Sequence, residues 1–177
     1  MIRILRKTAD SIDQMNEHIG RAVAWLNVVL VVLIGYDVFM RKLFRSTSIS
    51  IFELEWHLFA LIFLLAAGYT FKHDRHVRVD VLYSRFSPKQ KAWVNLIGTG
   101  VFLLPLCLMV MYSGWLFTRF AFLIHEGSPD PGGLPARFLI KSAIVIGFAF
   151  LAIQAISVCI RSILVISGHA RTLNPEP

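Results

Sequence analysis

The chain has 177 residues, 56% of them hydrophobic and only 16% charged, with a mean hydropathy of +0.64. A soluble domain carries about 25% charged residues, so the composition excludes an ordinary water-soluble globule and leaves room for one all-α membrane bundle with no separate soluble domain. A formal charge of +7 would point a soluble protein toward nucleic acid, but here the basic residues flank apolar runs, where membrane topology accounts for them and no nucleic-acid partner is expected.

The opening stretch sets Ile2, Ile4, Leu5, Ile12, Met15 and Ile19 among polar residues, a spacing that predicts an amphipathic helix lying at the membrane interface. A partly disordered tail is the alternative. The first apolar span follows near 23–39. Arg41, Lys42 and Arg45 come after it rather than a small-residue cleavage site, which argues against a cleaved signal peptide. Asp37 and Arg41 are one helical turn apart and predict an ion pair on one face. Ser50-Ile51-Phe52-Glu53 has the form of a capping box, with Glu53 reaching back to the Ser50 N–H. It opens a second span near 52–71, which ends in a thin patch of Ala66, Ala67 and Gly68.

A short polar stretch, His73 to Asp80, joins the second span to the third. Ser87-Pro88-Lys89-Gln90 repeats the capping-box form, with Pro88 where its missing N–H costs nothing. The third span lies near 93–117, with Ile124 as the furthest limit of an extension, and Pro105 predicts a kink within it. Residues 127–135 hold three prolines and three glycines and predict an ordered loop. The fourth span lies near 139–166, with Ala143 and Gly147 as a small-xxx-small pair suited to close helix approach. Cys107 and Cys159 both fall inside apolar runs and predict plain packing.

Each span has the ~20 apolar residues needed to cross about 30 Å of hydrocarbon. Four spans put both termini on one side. With the termini inside, twelve Lys and Arg fall on the inner side and six on the outer, so both termini are expected to be cytoplasmic. Trp56, Trp93 and Trp115 fall near span ends, as interfacial anchors do.

Several stretches together resemble the small permease subunit of tripartite ATP-independent periplasmic (TRAP) transporters. They run from Tyr36-Asp37-Val38-Phe39-Met40-Arg41 through Glu53-Leu54-Glu55-Trp56 and Phe63 to Thr70, then to His76-Val77-Arg78-Val79-Asp80. A second group is Glu126-Gly127-Ser128, Gly133 to Arg137, Lys141 and Gly147-Phe148. The resemblance implies a bacterial inner-membrane importer driven by an ion gradient, usually sodium, and acting on carboxylates. A periplasmic binding protein captures the substrate, a large polytopic subunit carries it, and a small subunit like this one supports the large one and helps form the outer docking surface.

Ionisable groups at membrane depth are costly and default to functional candidates. Glu53, Glu55 and His57 on the second span, and Glu126, Arg137 and Lys141 at the expected outer surface, are the candidates for subunit contact or docking. The simpler alternatives are a cap for Glu53, snorkelling or an interhelical bond for Glu55 and His57, and a solvated loop edge for the other three. His76, Arg78 and Asp80 form a cytoplasmic loop motif whose simplest role is a topology anchor. Gln154 predicts an interhelical hydrogen bond worth about 1 kcal/mol. No catalytic, substrate or metal site and no cofactor is expected. A haem-carrying respiratory anchor is the main rival, through His57 and His125, although both lie at span edges. A membrane enzyme lacks any nucleophile–base pair, and a self-sufficient homodimeric transporter lacks a carboxylate deep in a span.

Overall fold

The computed structural model describes residues 2–46, 48–73, 83 and 86–170, and among them every regular element is helical. The apolar runs have little choice: in hydrocarbon a backbone N–H or C=O has no water to bond, and a helix satisfies both within itself. Helix α1 runs from Ile2–Phe44, α2 from Ile49–Leu65, α3 from Ala67–Lys72, α4 from Pro88–Ile97, α5 from Leu104–Leu123 and α6 from Phe138–Ile166. A π-helical segment, Gly98–Leu103, joins α4 to α5. Backbone bonds pass through Ala66, from its N–H to Ile62 and from Thr70 to its carbonyl, so α2 and α3 form one rod. Four rods are long and apolar enough to cross a membrane: Ile2–Phe44, Ile49–Lys72, Pro88–Leu123 and Phe138–Ile166.

Two expectations change. The amphipathic stretch and the first span are one uninterrupted helix of 43 residues, about 65 Å long at 1.5 Å per residue. No proline separates them, and Gly20 does not break the helix because it serves as a contact point: a Cβ there would lie 2.3 Å from the Tyr69 ring. The capping box at Ser50 is also not formed. Helix α2 starts two residues earlier, with Ser48 at its N-cap and no side-chain cap bond. Ser50 Oγ donates instead to the Gly132 carbonyl. The second box forms as expected, with Gln90 N–H donating to Ser87 Oγ at 3.4 Å and Ser87 N–H to Gln90 Oε1 at 2.8 Å. Where Pro105 predicts a kink, the chain widens into the π-helical segment just before it. That segment accommodates a ring with no N–H to give the preceding turn.

Helix α6 is the central post, in contact with every other helical element. Its inward face is mostly small or polar: Ala143, Gly147, Gln154, Ala155, Ser157 and Ser162 are all buried. The apolar core is correspondingly slight, with Phe71, Cys107, Leu151 and Ala155 at its centre. Close approach replaces bulk. A Cβ on Gly147 would lie 2.6 Å from the Leu64 carbonyl oxygen, and one on Gly68 would lie 2.4 Å from Asn16 Oδ1 and 3.1 Å from the Phe150 carbonyl oxygen. Thus the small residues noted on the second and fourth spans serve packing inside the bundle. Long apolar side chains such as Trp25, Val31, Phe63, Phe102 and Tyr112 point outward, each at least 60% exposed.

Gly147→Val is expected to force α6 away from the α2 backbone and to lower stability by about 1–3 kcal/mol. Gly98→Ala, at a helical position with nothing within 4 Å of the added Cβ, is expected to be neutral. Thermal unfolding of the two variants in mild detergent checks the contrast.

Candidate functional site

The ionised side chains gather into two networks, one at each end of the bundle. At the first end the start of α1 meets the end of α6, where Arg6 Nη2 donates to the His169 carbonyl at 3.0 Å. Arg161 of α6 grips Asp10 at 2.8 Å and Asp13 through Nε at 2.9 Å. Asp13 also accepts from Gln154 Nε2 at 2.7 Å and Ser157 Oγ at 2.8 Å, and Gln154 Oε1 accepts from Asn16 Nδ2 at 2.9 Å. The interhelical bond expected of Gln154 is therefore present, as part of a larger clamp of α1 on α6. One turn further along α1, Glu17 holds the end of α3, with Lys72 Nζ at 2.6 Å and His73 Nε2 at 2.9 Å, and pairs with Arg21 at 3.1 Å on its own helix.

At the opposite end α5 stops at Leu123, and His125 just beyond it, with a φ of 50°, turns the chain away from the helix. The loop to α6 is tied at both ends, by Arg137 N–H to the Glu126 carbonyl at 2.9 Å and Ser128 N–H to the Leu134 carbonyl at 3.1 Å. Its anchor is Glu53, on α2. This carboxylate is 3% exposed and accepts from Ser128 Oγ at 2.5 Å, Leu134 N–H at 2.6 Å and Arg137 Nη2 at 3.0 Å. Gly133 makes that approach possible, since a Cβ there would lie 2.3 Å from Ser128 Oγ and 2.8 Å from Glu53 Oε2. The Arg137 guanidinium also lies over the Trp56 ring, 5.9 Å from its centroid. Beside it, Lys141 pairs with Glu126 at 2.5 Å and sits 3.8 Å from the Phe117 ring centroid.

Of the sequence candidates, Glu53 and Arg137 come together directly, and Glu126 and Lys141 form a neighbouring pair. His57 joins them through its Nδ1, which is bonded to the Glu53 carbonyl, while its ring lies 3.8 Å from that of Trp56. Glu55 stands apart, with Oε1 buried and no partner among the described residues. His76, Arg78 and Asp80 lie outside the described residues. Glu53 is a loop anchor rather than a cap because three donors, one of them a guanidinium, outcompete a single backbone N–H. Sequence reading missed Ser128 and Gly133 as its partners. The one available signal was a glycine pair close to a serine in a turn-rich loop. Asp37 pairs with Arg41 as expected.

The fold and these networks define a small multi-pass helical membrane protein. The family model for the DctQ component of tripartite ATP-independent periplasmic transporters matches residues 30–164. The chain belongs to that family and is the small membrane subunit of such a transporter. Comparison with curated proteins gave no match. DctQ is a family of transporter components, not of enzymes or respiratory anchors, and it lends no support to the haem-anchor alternative.

Two outcomes are expected. Glu53→Ala removes the common acceptor of the loop. Limited proteolysis should then cut within 127–135 roughly tenfold faster than in the parent, the equivalent of one lost charge-assisted hydrogen bond. Glu17 lies ahead of the apolar span. The Lys72 ammonium first, then the His73 ring, hold its carboxyl down to about 2 from an ordinary 4.5. Its contribution to stability is complete above pH 4.5 and is lost as pH falls through about 2. The thermal midpoint measured against pH should decline in that window, and Glu17→Gln should flatten the decline.

Proposed function

We propose that the chain is the scaffold of an ion-gradient-driven carboxylate importer, with sodium the coupling ion, in a bacterial inner membrane. It holds the large transport subunit in position and presents a preformed loop to the periplasmic binding protein. The observation that carries this reading is the Glu53 anchor. A surface loop held by a buried carboxylate, a glycine notch and an arginine is ordered before any partner arrives, and preorganisation of this kind lowers the cost of association.

The twelve-to-six distribution of Lys and Arg supports cytoplasmic termini, with loop 127–137 on the periplasmic side and the basic first turns of α1 at the cytoplasmic surface. On that reading Glu126, Arg137 and Lys141 sit at the docking face. Glu53 and His57 brace it from beneath, and Glu55 is the remaining candidate for contact with the neighbouring subunit. His76, Arg78 and Asp80 serve as the cytoplasmic loop's topology anchor. Substrate and ion sites belong to the large subunit, because the carboxylates of Asp13, Glu17, Asp37 and Glu53 are each taken up by contacts within this chain.

Deleting this chain should abolish uptake in cells that retain the large subunit and binding protein. Full uptake without it would refute the scaffold role. Arg137→Glu sets two carboxylates against each other, and Glu126→Lys does the same with two ammonium-bearing side chains. Both should weaken copurification or binding-protein docking while leaving the sodium dependence of residual uptake unchanged. An intact complex with altered sodium dependence would contradict the assignment.

A further inference from the structure

A cleft of about 350 Å³ opens between the end of α1, the start of α2 and the loop, lined by Asp37, Arg41, Ser48, Ile49, Phe52 and Asp130. It lies where the apolar run of α1 ends and that of α2 begins, and the end of an apolar span is where a helix meets the phospholipid headgroups. We infer that this cleft seats the headgroup of a phospholipid carrying a primary ammonium, its phosphate at Arg41 and its ammonium at Asp130.

The charge pattern selects this ligand. Asp37 is 3% exposed and neutralised by Arg41, but the Arg41 side chain remains 56% exposed and lines the cleft. Ser48 stands beside it at the α2 N-cap with its hydroxyl making no cap bond. The first-turn N–H groups of α2 therefore add their partial positive charge to that of the guanidinium in the cleft. Asp130, from the loop, supplies negative charge to the same cleft. Its backbone N–H is bonded to Ser128 Oγ at 3.1 Å, and Ser128 is held by Glu53, so the position of this acid is set by the loop anchor. Ile49 and Phe52, 40% and 62% exposed, continue the surface toward the hydrocarbon and suit the glycerol and upper acyl carbons.

A zwitterion with phosphate and –NH₃⁺ a few bonds apart matches both charges. A quaternary ammonium has no N–H to give Asp130, and a glycerol headgroup has no positive charge for it. The same phosphate–ammonium chemistry exists in water-soluble phosphoethanolamine. The lipid is preferred here because the apolar flank would otherwise face an aqueous ligand. Binding of this kind depends on the membrane-spanning fold and not on the transport partners.

The test is native mass spectrometry of the full chain in mild detergent, offered equimolar dioleoyl phosphoethanolamine, phosphocholine and phosphoglycerol lipids. The phosphoethanolamine lipid should be retained roughly tenfold over the other two, the worth of one charged hydrogen bond. Asp130→Asn should bring it down to the phosphocholine level. Arg41→Gln should weaken both phosphoethanolamine and phosphocholine. Because that change also touches the Asp37 pair, the exposed Asp130→Asn variant is the deciding one, with an unchanged melting temperature as its control. Equal retention of all three lipids, preference for phosphoglycerol, or an Asp130→Asn variant with undiminished preference would each overturn the site. Soluble phosphoethanolamine should fail to displace the lipid at matched concentration, and equal competition would overturn the lipid assignment.

Discussion

Lipid tails are as apolar as the side chains that face them, so the bilayer supplies no hydrophobic force to press these helices together. Every contact within the bundle has to come from close van der Waals approach or from polar bonds between helices, and α6 provides both. Its middle bears Gly147, which lies against the α2 backbone. One end carries Gln154, Ser157 and Arg161, bonded to α1, and the other follows the loop that Arg137 ties to α2. Remove the small face of α6 and the polar groups at its two ends lose their reach, because the charged pairs are set by how near the helices come.

Much of this was legible in the sequence wherever the cause was local. Apolar length specified four spans, and four long apolar helices are present. The Ser87 cap formed because its partners lie three residues away, and the Asp37–Arg41 pair because one helical turn separates them. The readings that changed depended on residues distant in sequence. Nothing near Ser50 announces that the Gly132 carbonyl will claim its hydroxyl. Nothing near Glu53 announces Ser128, Leu134 and Arg137. The polar residues Asp10, Asp13, Asn16 and Glu17 within that amphipathic stretch face α6 and α3 in the fold. Amphipathic spacing reports two unlike faces, not which neighbour each one meets.

The same division separates family from role. Order and spacing over residues 30–164 suffice to assign the chain to the small TRAP subunits. Several residues that carried the resemblance make contacts between elements of the bundle. Glu53, Arg137 and Gly147 hold α2, the loop and α6 in register, and Glu126 with Lys141 closes the loop's far side. A subunit whose recognisable residues maintain its shape rather than a reaction is consistent with one that lends rigidity to a larger assembly.

The anchoring of Glu53 also bears on how the protein is made. Its three partners lie 75, 81 and 84 residues further along the chain. During synthesis the acid reaches the membrane long before any of them exists, and it must wait at the water boundary, or take up a proton, until the second hairpin has been inserted. The loop cannot assume its final shape until that pairing occurs. A truncated or misinserted chain would therefore display a bare carboxylate where a finished one displays an ordered surface.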